Sequence, residues 1–171
     1  MVSIANTEVI ENLGQVDLCI CDKTGTLTKN ELIIRELYTD NRSFMIKYEE
    51  SDASKNDQVS EPKIRHENLM LVRNFINAES AMQRQNIFLC MALCHTAIVS
   101  KHKVGMNGSF ISESEDELAL LSFAKHIGFR FTKKVDDEIH LKIYGADIMF
   151  RVVTQLPFDP VRKMMSIIVE T

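Results

Sequence analysis

Apolar positions recur at helical spacing through the middle of this chain and give way to strand-like runs towards its end. Val16 to Cys21 (VDLCIC) is a short apolar run with Asp17 as the exception, and it predicts a buried strand. Glu31 to Tyr38 and Ser43 to Tyr48 predict two more strands. The link between them, Thr39-Asp40-Asn41-Arg42, is turn chemistry, so the pair predicts a hairpin. Residues 49–63 (EESDASKNDQVSEPK) are polar, mostly acidic and hold Pro62, which is the composition of a flexible surface loop. His66 to Asn77 alternates apolar and polar residues at helical spacing. Ala81 to Val99 predicts a second, more buried helix. Val104 to Ile111 holds Gly105, Asn107 and Gly108 and predicts a turn flanked by short strands.

Ser114 to Ile127 predicts a third helix. It opens on Ser114-Glu115-Asp116-Glu117, a capping-box pattern, and Gly128 stands where a helix ends. Strands are then predicted at Phe129 to Lys133, Ile139 to Tyr144 and Ile148 to Thr154, with turns at Asp136-Asp137 and Gly145-Ala146. Pro157 and Pro160 interrupt, and Met165 to Val169 is a last strand. The pattern is an α+β arrangement, an antiparallel sheet flanked by helices, with no internal repeat.

The bulk properties narrow the partners. The 171 residues are 45% hydrophobic and carry a formal net charge of -4, so the chain is expected to fold around a core and has no basic footprint for nucleic acid. The most apolar run, Ile87 to Cys94, falls far short of the roughly 20 residues of a membrane span. The N-terminal segment has neither the basic start nor the apolar stretch of a signal peptide. The four cysteines, Cys19, Cys21, Cys90 and Cys94, lack the CxxC spacing of structural zinc sites. They are expected to be small buried hydrophobes, with His95 beside them as a packing group.

Chemistry concentrates where the first apolar run ends, in CICDKTGTLTKNEL. A strand that stops at Asp22 and passes into Lys23-Thr24-Gly25-Thr26 is built to present that carboxylate. A carboxylate can serve as a nucleophile and form an acyl phosphate. Ligands of open α/β sheets bind at the C-terminal ends of strands. Gly25 lets the backbone approach a phosphate, while Thr24 and Thr26 bring hydroxyls and the turn offers N–H groups. The plainer reading, a strand followed by a polar turn, stands beside this one on chemistry alone.

Asp22-Lys23-Thr24-Gly25-Thr26-Leu27-Thr28 matches the complete phosphorylation signature of P-type ATPases. Other stretches resemble the lipid-flippase branch of that family: ENLGQVD (Glu11 to Asp17), LCHT (Leu93 to Thr96), SEDELALLSFAKHIGF (Ser114 to Phe129) and PFDPVRKMMSIIV (Pro157 to Val169). They run in family order along nearly the whole chain. The resemblance implies that residues 1–28 begin a haloacid dehalogenase-like α/β phosphorylation domain with its first strand. Residues 29–171 would then form much of a nucleotide-binding domain. It implies Asp22 as the catalytic residue that takes the γ-phosphate of ATP, with Lys23 and Thr24 at the phosphate. Asp22 and the Thr24 carbonyl would hold Mg²⁺.

In the same resemblance Glu117 lies near the adenine, Phe158 stacks on it and Lys163 carries charge towards the phosphates. Each also has a local reading: Glu117 as the third residue of the capping box, Phe158 as core, Lys163 as a solvated strand-end lysine. The whole protein would move phospholipid across a membrane from the cytosolic face, with an accessory membrane subunit as a further partner. The alternative is a nucleotide-sensing or regulatory module without transport. A soluble dehalogenase-type phosphatase shares the strand-end Asp but not the full signature or the long insertion after it.

The match has departures. Glu115 stands at a usual Pro, Asp159-Pro160-Val161 at Asn-Ser-Thr, Met164 at Arg and Cys21 at Ser. The family's Lys-Gly-Ala, Thr-Gly-Asp and Gly-Asp-Gly segments do not occur here, so the chain is expected to be a fragment. It should bind adenine nucleotide weakly and not hydrolyse it.

Overall fold

A computed structural model describes residues 13–23, 26–28, 31–49, 63–77, 82–99 and 110–171. The chain divides into two compact units, Met1–Asn30 and Glu31–Thr171.

Among the described residues of the first unit, a 3-10 turn, Leu13–Gln15, is followed by irregular chain. The strand predicted over Val16 to Cys21 does not form. Leu18 is 76% exposed and Ile20 87%. A strand needs a neighbour to take its N–H and C=O groups, and the described residues of this unit pair with none. Cys19 and Cys21 are exposed for the same reason, against the expectation of buried thiols.

The second unit opens with a hairpin, β1 (Glu36–Thr39) and β2 (Arg42–Met45), in which Thr39 pairs with Arg42. The two-residue turn Asp40-Asn41 has φ of 48° and 56°. Both central residues of a type I′ turn need positive φ, and Asp and Asn are the non-glycine residues that tolerate it best. The first strand is shorter than predicted: the regular ladder begins at Glu36, and before it only the Arg35 carbonyl, which accepts the Ile46 N–H at 2.8 Å, continues the backbone pairing among the described residues. The termini of the acidic loop are joined where Tyr48 bridges Ile64 and the Glu49 N–H donates to the Lys63 carbonyl at 2.8 Å. Residues 50–62 of the predicted flexible loop lie outside the described residues.

Among the described residues three helices follow: α1 (His66–Ile76), α2 (Met82–Leu93) and α3 (Glu115–Ile127). The second stops at Leu93, six residues short of the prediction, because Ile98–Val99 forms a strand, β3, paired antiparallel with β4 (Phe110–Ile111). The flanking strands predicted around the Gly105 to Gly108 turn therefore exist, while the turn itself lies outside the described residues. Arg73 on α1 reaches across to the last turn of α3. Its Nε donates to the Ile127 carbonyl at 3.0 Å and its terminal nitrogen to the His126 carbonyl at 2.9 Å. A cation there meets carbonyls that no helical N–H can satisfy.

Gly128 ends α3 with φ of 123°, its N–H turned back to the Ala124 and Lys125 carbonyls. The chain runs straight into a four-stranded antiparallel meander: β5 (Phe129–Val135), β6 (Glu138–Ile143), β7 (Ala146–Asp159) and β8 (Met164–Glu170), in the order β5-β6-β7-β8. Alternation sorts the faces. Phe129, Phe131, Ile139, Leu141 and Phe150 are buried against Phe88 of α2 and Leu121, Phe123 and Ile127 of α3. Burying a phenylalanine or leucine contributes about 1.5–3 kcal/mol, so this aromatic layer dominates the core.

The strand β7 is longer than predicted. Pro157 does not stop it, because the pairing register shifts between Leu156 and Asp159. Proline lacks an N–H, and a bulge is where a ladder can spare one.

Candidate functional site

Ser114 caps α3 through its side chain, its Oγ accepting the Glu117 N–H at 3.4 Å. That is one half of the predicted capping box. In the other half Glu117 would reach back to the Ser114 N–H, but that N–H donates to Ser112 Oγ at 3.1 Å. The Glu117 carboxylate points elsewhere. Its Oε2 accepts the Thr96 N–H at 3.0 Å, the Thr96 hydroxyl at 2.9 Å and the Ser112 hydroxyl at 2.8 Å. Glu117 thus ties the start of α3 to the segment between α2 and β3. These are charge-assisted bonds, roughly twice as strong as neutral ones.

Under that segment lies His95, 6% exposed, with its ring edge against Phe131 at 4.5 Å between centroids. Its Nε2 lies 3.1 Å from the Ala92 carbonyl, so this nitrogen carries the proton. Burial lowers the His95 pKa below the ordinary value, and the Ala92 carbonyl and the Glu117 charge offset part of that. The expectation of a packing role for His95 holds. Cys94 is half-buried and its thiol is pushed up to about 11, first by burial and then by Cys90, which makes it a poor nucleophile. Cys90 is exposed, contrary to expectation.

An open cleft of about 470 Å³ lies beside Glu117, lined by Thr96, Glu113, Ser114, Glu117, Gln155, Pro157, Phe158 and Met165. The bulge in β7 shapes one wall. Phe158 is 63% exposed, so it is not a core residue. An exposed aromatic at a cleft wall, next to a proline and a methionine, offers a flat face to a flat ligand. Sequence reasoning named Glu117 and Phe158 but missed Gln155 and Thr96, because polar residues on a strand and in a link carry no periodic signal.

Lys163 is exposed and stands outside the cleft lining, in the turn between β7 and β8 with φ of 53°. Asp159, one of the departures from the family pattern, organises that turn. Its Oδ1 accepts the Val161 N–H at 2.7 Å and the Arg162 N–H at 3.3 Å, and its Oδ2 lies 3.5 Å from Arg162 Nε.

In the first unit Asp22 is exposed, and its Oδ1 accepts the Lys23 N–H at 2.7 Å. The Lys23 carbonyl in turn accepts the Leu27 N–H at 3.0 Å. Thr24 and Gly25 lie outside the described residues. No group of three or more His, Cys, Asp or Glu gathers among the described residues. Magnesium takes six oxygens, so the single carboxylate of Asp22 does not make a magnesium site by itself.

No protein-family model matches the chain. Its sequence is 30% identical over 96% of its length to the phospholipid-transporting ATPase FetA of Mus musculus. It is 31% identical over 96% to phospholipid-transporting ATPase IC of Homo sapiens and 32% identical over 99% to phospholipid-transporting ATPase 11C of Mus musculus. The relatives carry the class that the seven-residue signature at Asp22 resembles. By sequence the chain is a relative of the phospholipid-transporting P-type ATPases, matched along almost its whole length. It spans 15%, 14% and 15% of the length of those three relatives. Among the described residues, no helix is long and apolar enough to cross a membrane.

Proposed function

We propose that this chain is the ATP-handling segment of a phospholipid-transporting ATPase, working on the cytosolic face of a membrane protein. Residues 29–171 are the nucleotide-binding part and residues 1–28 the start of the phosphorylation domain. The division of the chain after Asn30 supports that partition. The observation that carries the reading is the meeting of Phe158 and Glu117 on one cleft, from opposite ends of the α3-to-β7 stretch. Adenine stacks on Phe158, and Lys163 supplies charge to the phosphates; in the first unit Lys23 is the phosphate-site lysine beside Asp22.

The reaction follows from Asp22. One carboxylate oxygen attacks the γ-phosphorus of ATP, the bond from that phosphorus to the β–γ bridging oxygen breaks, and ADP leaves with the electron pair. Water then attacks the acyl phosphate at phosphorus, gives its proton to solvent, and frees both phosphate and the Asp22 carboxylate. A bound Mg²⁺ would neutralise phosphoryl-oxygen charge, and Asp22 and the Thr24 carbonyl are the groups of this chain that would hold it. Coupling of this cycle to phospholipid movement, with an accessory subunit, belongs to the whole transporter.

The test uses the intact protein that contains this chain. ATP labelled at the γ-position should leave a hydroxylamine-sensitive phosphate on it, stimulated in turnover by phospholipid. Persistence of the label in Asp22→Asn overturns the assignment of the nucleophile. Nucleotide binding without lipid-stimulated hydrolysis overturns transport in favour of a sensing module.

A further inference from the structure

We infer that Gln155 reads the polar edge of the base and makes the cleft selective for adenine, a deepening that rests on the nucleotide-binding reading above. Gln155 and Phe158 stand three apart on β7. In a regular strand residues three apart point to opposite faces. Here both line the cleft, because the register shift between Leu156 and Asp159 adds a residue to this strand. The bulge therefore brings a flat ring and a carboxamide to one site.

The chemistry of the two candidate polar groups differs. The edge of adenine offers a 6-amino donor beside ring-nitrogen acceptors. A carboxylate has no hydrogen to give and can meet only the donor. Glu117 also already holds three protein donors at 2.8 to 3.0 Å on one oxygen. A carboxamide has two N–H donors and two acceptor lone pairs. Gln155 Nε2 donates one to the His95 carbonyl at 3.4 Å, and Oε1 accepts one from Lys134 Nζ at 3.3 Å. Both bonds are long, and together they set which end of the amide is oxygen and which nitrogen. One N–H and one lone pair remain, the pair of functions that adenine demands.

The experiment measures binding of ATP and of inosine triphosphate to the chain by calorimetry. The inosine base exchanges the amino donor for a carbonyl and inverts the edge. The chain is expected to favour ATP by about tenfold. Gln155→Leu should weaken ATP by a similar factor and abolish the preference. Gln155→Glu keeps the size and the Lys134 contact but cannot donate, and it should fall between the two. Phe158→Ala should weaken both nucleotides together and leave their ratio unchanged. Equal affinity for the two nucleotides in the unmodified chain, or an unchanged ratio in both Gln155 variants, overturns the inference while leaving nucleotide binding standing. Binding of neither nucleotide to the unmodified chain overturns the inference and the nucleotide-binding reading together.

Discussion

The Glu117 carboxylate accepts both the backbone N–H and the hydroxyl of Thr96, at 3.0 and 2.9 Å, and so joins the first turn of α3 to the exit of α2. A hydrogen bond to a charged group contributes about 1.5–3 kcal/mol. Glu117→Ala should therefore destabilise the chain by about 2 kcal/mol in urea denaturation, and Glu117→Gln by about half as much. If the contact is what matters, Thr96→Val and Glu117→Ala will couple by at least about 0.5 kcal/mol in a double-mutant cycle. Simple additivity would assign the loss to the Ser112 contact instead.

Phe158 tests binding apart from folding. Its ring is mostly exposed, so Phe158→Ala should move stability by no more than about 0.5 kcal/mol. Stacking on a base is worth about 1–3 kcal/mol, so ATP affinity should fall about tenfold in the same variant. A large loss of stability would return Phe158 to the core.

Gly128 combines two constraints. Its φ is 123°, and a Cβ there would sit 2.8 Å from Cδ1 and Cε1 of Tyr144. Gly128→Ala should lower stability by about 2 kcal/mol or more, from strain and clash together. Adding Tyr144→Asn removes the ring and should recover the steric part only. Asparagine suits the φ of 48° at position 144. Thermal melts of the single and double variants read the difference.

His95 makes stability depend on pH. Its pKa is lowered by burial, so the unfolded chain, with an ordinary value of about 6.5, binds the proton more readily than the folded one. The contribution of neutral His95 is complete above that pH and is lost as the pH falls through it and below. The melting temperature should drop between pH 7.5 and pH 5, and His95→Gln should flatten that part of the profile. An equally steep profile in the variant would place the titration elsewhere.

Sequence alone determined what depends on near neighbours. The turns at Asp40-Asn41 and Asp136-Asp137, the bounds of α3 at Ser114 and Gly128, and the faces of the alternating residues of β5 and β6 are of this kind, while the turn expected at Gly145-Ala146 falls one residue earlier, at Tyr144-Gly145. A cap, a turn or a pleat involves only residues a few positions apart, so its signal survives in linear order. The seven-residue signature at Asp22 was legible in linear order too, whereas Glu117 and Phe158 became candidates only through the family resemblance of the stretches that hold them. Tertiary structure decided what depends on a distant partner. The apolar run from Val16 to Cys21 stays exposed because no paired strand joins it. Glu117 leaves its capping box because Thr96 and Ser112 present donors to it. Gln155 faces the same cleft as Phe158 only because β8 pairs with β7 across a bulge. A hydrophobic pattern records which side of an element is buried, but a hydrogen bond or a register shift is set by the groups that packing brings opposite it.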